Sequence, residues 1–299
     1  MKVLSTRKYP GPAFDELADV EVQPLAELTS PRPEVEALVV ANEPVPLELL
    51  PGLRLVANYS VGYDRLGIEQ LAGSGVAVSN TPGVLSAATA DLTFALILAA
   101  RRRLVEGDAH VRSGEWTAQW TAGFLAEELT GSTLGIVGLG RIGQAVARRA
   151  QGFELRVLYT QRTPAQTELG EYRELDELLA ESDLVSIHTP LTPETRGLID
   201  ARRLALLRDG ACVINTARGE IVDEPALVAE LVSGRLRAGL DVFAHEPNVP
   251  AELLPLQNVV LTPHLGSATR QTREAMTRIV VDNILAFERG EPLPTPVTI

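Results

Sequence analysis

The sequence predicts an α/β protein built on two doubly wound parallel sheets, and three observations lead there. Apolar runs of strand length alternate with helical stretches. The strands are separated by helix-length segments, which demand crossover connections and therefore parallel pairing. The 299 residues suffice for two domains at ~100–200 residues each.

In the first half, residues 2–5, 37–41, 53–57 and 76–78 read as short buried strands. The Pro- and Glu-rich stretch 23–34 is loop-like, and 44–51 and 81–83 punctuate the chain. From Ser86 to Arg103 the pattern is helical, with Asp91 the only charge before the arginines. Arg101, Arg102 and Arg103 then read as a solvated helix end, where cations suit the macrodipole. From Leu134 onward, strands are expected at 134–137, 155–159, 184–188, 211–215, 238–242 and 259–262. Helices are expected between them at 141–151, 175–180, 202–207 and 224–232, and a final amphipathic helix at about 269–289. Doubly wound sheets bind ligands beyond the carboxyl ends of their strands, so the informative residues are those that follow each strand.

Composition narrows the function. With 27 Lys+Arg against 39 Asp+Glu the formal net charge is −12. That argues against nucleic-acid binding, which needs a basic face, and against docking on an anionic membrane. Hydrophobic residues make up 45% and charged ones 22%, an ordinary globular balance. Only 4% are aromatic, so the core must be mainly Leu, Val, Ile and Ala. Cys212 is the single cysteine, which excludes an intrachain disulfide and any multi-cysteine metal site; no metal is expected. Residues 1–10 lack the apolar region of a signal peptide. The longest apolar run, 94–100, is far below the ~18 residues a membrane span needs. A cytoplasmic location is expected.

Gly138, Gly140 and Gly143 form G-x-G-x-x-G, preceded by an apolar strand and followed by a helix. In that setting the glycines permit a tight turn, close approach to a pyrophosphate and helix–strand packing, with the phosphates on a helix N-terminus. An NAD-specific site carries a carboxylate at the end of the next strand to bind the ribose 2′-hydroxyl. Here that position is Gln161, followed by Arg162 and Thr163. A carboxylate would repel a 2′-phosphate, whereas Arg162 can grip one, so NADP(H) is favoured with NAD(H) as second choice.

Of the four histidines, His110 lies in a polar helical stretch and His188 closes a strand near the expected adenosine side. His264 follows the last strand, where it can act as an acid toward a bound carbonyl. Such a histidine needs an orienting carboxylate, and Glu246 follows the preceding strand; its neighbour His245 is a weaker candidate. Arg218, again just after a strand, supplies the local cation that an anionic substrate needs on a protein of this charge.

Taken together, the chain resembles the D-isomer-specific 2-hydroxyacid dehydrogenases, and most closely their glyoxylate/hydroxypyruvate reductase branch. The resemblance spans nearly the whole chain: 58–64 (NYSVGYD), 80–85 (NTPGVL), 88–92 (ATADL), 138–143, 188–192, 215–219 (NTARG), 241–247 (DVFAHEP) and 263–269. It implies a Rossmann-type dinucleotide domain at 96–275, inserted in a smaller flavodoxin-like substrate domain of 1–95 plus 276–299. It implies His264 as proton donor, Glu246 as its partner and Arg218 as substrate anchor and carbonyl polariser. The backbone amides of Val61 and Gly62 would bind the substrate carboxylate. Asp241 would contact the nicotinamide carboxamide, and Thr216, Ala217 and Gly266 would line the cofactor site. Leu139, Gly140, Arg141 and Ile142 would hold the pyrophosphate.

The implied activity is reduction of a small 2-oxoacid by a nicotinamide nucleotide in a homodimer, whose contacts the long partly apolar segment 87–120 could supply. Segment 114–120 resembles a loop that in some relatives offers a tryptophan to the partner's active site, but neither Trp116 nor Trp120 aligns cleanly with it. Related formate dehydrogenases carry glutamine where Glu246 stands, which disfavours that activity. The alternative is a binding protein, since the same fold serves a transcriptional corepressor that senses nicotinamide nucleotides.

Overall fold

The computed structural model describes residues 1–117 and 124–298; Trp120 lies outside the described residues. The chain forms two compact units, Met1–Leu85 with Ser267–Ile299, and Ser86–Gly266.

The first unit holds five parallel strands, β1 (Val3–Ser5), β2 (Val20–Val22), β3 (Ala37–Val40), β4 (Leu55–Asn58) and β5 (Ala77–Ser79), in the order β2-β1-β3-β4-β5. Every residue of β1, β3 and β4 is buried, as expected of parallel strands covered on both faces. One face carries Val3, Ala37, Val39, Leu55 and Ala57 against Met276, Val280, Val281 and Ile284 of the C-terminal helix α8 (Arg270–Glu288). Those four positions recur at helical spacing and form its apolar stripe. The other face carries Leu4, Leu38, Val40 and Val56 against Leu50, Leu66 and Leu71, the last from the short helix α1 (Ile68–Gly73). Beyond α8 the tail returns to the sheet edge, where Pro296 bridges Ser79 and the Val297 amide donates to the Val78 carbonyl at 2.8 Å.

The second unit contains β6 (Thr133–Val137), β7 (Arg156–Thr160), β8 (Glu171–Tyr172), β9 (Leu184–Ile187), β10 (Cys212–Asn215), β11 (Arg237–Leu240) and β12 (Val259–Leu261). All seven are parallel, in the order β12-β11-β10-β9-β6-β7-β8, so the strand order reverses at β6 and β9. A doubly wound sheet places its ligand crevice at that reversal. Helices α2 (Ser86–Arg101) and α4 (Arg141–Gln151) cover one face through Phe94, Ile97, Ala145 and Val146. Helices α5 (Leu175–Glu181), α6 (Ala201–Leu204) and α7 (Glu224–Val232) cover the other through Leu178, Leu204, Leu227 and Leu231. A further helix, α3 (Leu104–Arg112), leaves Leu104, Val105 and Val111 exposed. No described helix is long and apolar enough to cross a membrane.

Three expectations need correction. The arginine run is only in part a solvated helix end: Arg102 is exposed, but Arg101 is buried and donates to the carbonyls of Gly210 (3.5 Å) and Glu128 (3.3 Å). Arg103 takes a left-handed backbone (φ 53°), which ends the helical run and starts α3. The unit boundaries fall at 85/86 and 266/267 rather than at 95/96 and 275/276, because helices do not divide. α2 lies along β10, β11 and α4 over its length, and α8 belongs wholly to β4 and its neighbours. Strands β2 and β8 escape notice in the sequence because each is a two- or three-residue edge strand containing glutamate.

Candidate active site

The glycine loop between β6 and α4 has the close contacts its spacing implies. Gly138 sits at φ 98°, and a Cβ there would stand 2.9 Å from the His188 carbonyl. A Cβ on Gly143 would stand 2.1 Å from the Gly138 carbonyl oxygen, so α4 can press on the turn only without one. Gly140 differs: nothing lies within 4 Å of where its Cβ would be. It caps α4 with no side chain bonded to the free amides, and Leu139 turns its own side chain into the core while Arg141 is exposed. An open space in front of uncapped amides at a helix N-terminus suits a pyrophosphate, so these residues fit the dinucleotide that the motif implies.

At the end of β7, Gln161 donates to the Thr163 carbonyl at 2.7 Å, and Arg162 and Thr163 are exposed. Glu194, on the loop after β9, is a neighbour the sequence did not indicate. Its carboxyl is held below the usual range mainly by the Thr192 hydroxyl, then by its own amide, with a smaller effect from the Arg162 charge.

The carboxyl ends of β10, β11 and β12 carry the remaining candidates, and the structure joins them. His264 has a left-handed backbone (φ 54°) and its amide donates to the Asp241 carbonyl at 2.9 Å. Its Nδ1–H donates to Glu246 Oε2 at 2.9 Å, while Nε2 makes no hydrogen bond among the described residues. The His264 side chain is 48% exposed and that of Glu246 22%, so the ring is held at its inner edge and open at its outer one. The other oxygen of Glu246 accepts from the Phe243 amide at 3.2 Å.

The Arg218 loop is fixed by Asn215, whose side chain accepts from the Ala217 amide (3.0 Å) and donates to the Arg218 carbonyl (2.8 Å). Arg218 Nη1 donates to the Ala217 carbonyl at 2.7 Å. Gly219 then brings this loop against the Glu246 loop. A Cβ on it would stand 2.0 Å from the Phe243 carbonyl carbon, so only glycine permits that approach. Glu224 secures the far side by accepting from the Ala244 amide at 2.9 Å. Residues Asn215, Gly219 and Glu224 were not singled out for these roles, although the first two lie in the motif at 215–219.

Asp241 is fully buried and its carboxylate accepts from Thr262 Oγ1 (2.6 Å), Leu265 N (2.7 Å) and Gly266 N (2.8 Å). Burial pushes its carboxyl above the ordinary range, and these three bonds oppose the rise. These bonds hold the turn that carries His264. Helix α2 steadies the same region through two threonines one turn apart. Thr89 donates to the Gly266 carbonyl (3.1 Å), and the hydroxyls of Thr93 and Thr216 lie 3.2 Å apart.

The other histidines stand elsewhere. His245 is exposed, and its carbonyl accepts from the Asn248 amide. His110 packs its ring on Phe124 with centroids 4.9 Å apart. His188 lies 2.8 Å from the Ser186 hydroxyl, and burial pushes its pKa down to about 3, so it is neutral near pH 7. No group of described residues could hold a metal ion.

Comparison with known proteins places the chain in a family. Residues 94–266 match the family model for the NAD-binding domain of the D-isomer-specific 2-hydroxyacid dehydrogenases. A glyoxylate reductase of Pyrococcus furiosus is 48% identical over 318 aligned positions, covering 99% of this chain and 95% of that one. The chain belongs to the D-isomer-specific 2-hydroxyacid dehydrogenase family, on its glyoxylate reductase branch. Among solved structures, a protein of Thermus thermophilus matches with TM-score 0.93 and 46% identity, covering all of both chains. An NADPH-dependent glyoxylate/hydroxypyruvate reductase of Sinorhizobium meliloti, in complex with NADP and malonate, matches with TM-score 0.92 and 34% identity, covering 99% of this chain and 96% of that one. As a member of this family the protein is a nicotinamide-nucleotide-dependent oxidoreductase.

His188, half-buried and neutral near pH 7, makes stability depend on acidity. Below pH 6.5 the unfolded chain takes up a proton that the folded chain refuses until about pH 3. The His188 contribution is therefore complete above pH 6.5 and is lost as pH drops, by at most ~1.4 kcal/mol per unit. His188→Gln removes this slope. In urea titrations between pH 6.5 and 4.5 the variant should lose less stability than wild type, and parallel losses would show that His188 is protonated in the folded protein.

Proposed function

We propose that this protein reduces glyoxylate or hydroxypyruvate to the D-2-hydroxyacid, with NADPH preferred to NADH and His264 as proton donor. The observation that carries the reading is the His264–Glu246 pair, joined across the loops after β12 and β11, with its outer nitrogen open and packed beside the Arg218 loop. A protein that only bound nucleotides would need no such pair, and nothing in the site favours the corepressor alternative.

When bound, the reduced nicotinamide supplies a hydride to the substrate's carbonyl carbon. Gly138 to Gly143 and the N-terminus of α4 hold the pyrophosphate; Gln161, Arg162 and Thr163 receive the 2′-phosphate; Thr216, Ala217 and Gly266 flank the nucleotide. The amides of Val61 and Gly62 bind the substrate carboxylate. Arg218 anchors the substrate and draws electron density toward its carbonyl oxygen. His264 gives that oxygen a proton from Nε2, and Glu246 keeps the ring in position for it. Malonate in the Sinorhizobium meliloti enzyme, a small carboxylate, agrees with an anion-binding substrate site. We also propose a homodimer, with Leu104, Val105 and Val111 of α3 as part of the contact, since three large apolar side chains, each more than half exposed, line one short helix.

Three outcomes follow from this reading. His264→Gln should lower kcat ~10²–10⁴-fold, with the NADPH dissociation constant changed by less than about twofold; turnover near wild type would remove His264 from the role. NADPH should exceed NADH at least ~10-fold in kcat/KM, which one charged hydrogen bond worth ~1.5–3 kcal/mol can supply. Arg162→Ala should abolish that margin, and an unchanged KM for NADPH would refute the assignment. Light scattering at micromolar concentration should give twice the 32.2 kDa chain mass, and a single chain mass would contradict the dimer.

A further inference from the structure

The loop after β4 is held by a chain of hydrogen bonds that begins in the C-terminal tail. In a trans peptide the carbonyl and the following N–H point in opposite directions, so a bond that pins one carbonyl aims the next amide. The Ser60 carbonyl accepts from Asn58 Nδ2 (3.3 Å) and the Thr81 amide (3.1 Å), which aims the Val61 N–H away from them. The Val61 carbonyl accepts from Asn80 Nδ2 (3.0 Å), which aims the Gly62 N–H. Asn58 Nδ2 also donates to the Gly62 carbonyl at 2.8 Å. Asn58 is fully buried, and its side-chain oxygen accepts from the Asn42 amide at 2.9 Å.

Asn80 has a different kind of support. The hydroxyls of its neighbours Ser79 and Thr81 are buried and make no hydrogen bond among the described residues. Its own backbone is gripped at both ends by Thr295: the Asn80 amide donates to the Thr295 carbonyl (3.2 Å), and the Thr295 hydroxyl donates to the Asn80 carbonyl (2.7 Å). Thr295 is fixed in turn by Asn283 of α8, fully buried, which donates to the Thr295 hydroxyl (2.9 Å) and accepts from its amide (3.2 Å). The direction of the Gly62 amide therefore depends on a residue 233 positions later in the chain (295 − 62).

We propose that Thr295 and Asn80 are positioning residues for the substrate anion, through which the C-terminal tail sets the aim of the Gly62 amide. This rests on the reading that Val61 and Gly62 bind the substrate carboxylate. Thr295→Val keeps the side-chain shape and removes the hydroxyl; Thr295→Ser keeps the hydroxyl.

The test is calorimetric titration of the NADPH-saturated protein with oxalate, an unreactive two-carbon dianion, beside glyoxylate kinetics. Thr295→Val should weaken oxalate about tenfold, ~1.4 kcal/mol, and raise the KM for glyoxylate by a similar factor. Its kcat at saturation and its NADPH affinity should stay within about threefold. Thr295→Ser should restore both oxalate and glyoxylate affinity, and should Thr295→Val fail to fold, Thr295→Ala carries the same expectation. Wild-type oxalate affinity in Thr295→Val, equal weakening in Thr295→Ser, or no oxalate binding by wild type would each overturn the proposal. If oxalate binding weakens as expected while wild type reduces neither glyoxylate nor hydroxypyruvate, the proposal stands and the proposed activity fails.

Discussion

One buried carboxylate organises the loops at the carboxyl ends of the last strands of the larger unit. Asp241 has no exposed surface, and taking a charge out of water is costly unless it is fully bonded. The Thr262 hydroxyl and the amides of Leu265 and Gly266 supply three hydrogen bonds to it, each to a charged acceptor. Those bonds draw the chain after β12 into a tight turn, and His264 at its centre takes the left-handed conformation that non-glycine residues avoid. Backbone strain of this kind persists only where the surroundings over-determine it. Here they do, and the strained residue carries the ring that faces Glu246.

The second constraint is steric. Gly219 allows the Arg218 loop to lie against the backbone of Phe243 and Ala244, closer than any Cβ would permit. Arg218, Glu246 and His264 thus come from three neighbouring strand ends, β10, β11 and β12, which a parallel sheet delivers side by side. In the smaller unit the loop after β4 is fixed by hydrogen bonds to its carbonyls. Those carbonyls accept from Asn58, Asn80 and the Thr81 amide.

Much of this was legible in the chain because it is local. Gly138, Gly140 and Gly143 lie in one turn, and the strands that precede Arg218, Asp241 and His264 are apolar runs bounded by polar residues. What was not legible depends on partners that only folding assembles. Arg101 reads as a helix-end cation until Gly210 and Glu128 are brought to it. Asp241 finds its partners 21 to 25 residues later, and Thr295 meets Asn80 across 215 positions. Glu194 lies near Arg162 because the loop after β9 passes the end of β7, a neighbourhood set by strand order rather than by sequence. The domain boundaries were misplaced by about ten residues for a similar reason: both fall next to helices whose allegiance is decided by packing.

The central claim is that the turn held by Asp241 fixes His264 with Nδ1 committed to Glu246 and Nε2 left open. Long-range proton–nitrogen correlation on protein labelled with nitrogen-15 histidine tests it directly, since four histidines give an assignable spectrum. The neutral His264 ring should carry its proton on Nδ1 and show an unprotonated Nε2, which then becomes the site of proton uptake. A neutral ring protonated on Nε2, with Nδ1 bare, would contradict the account.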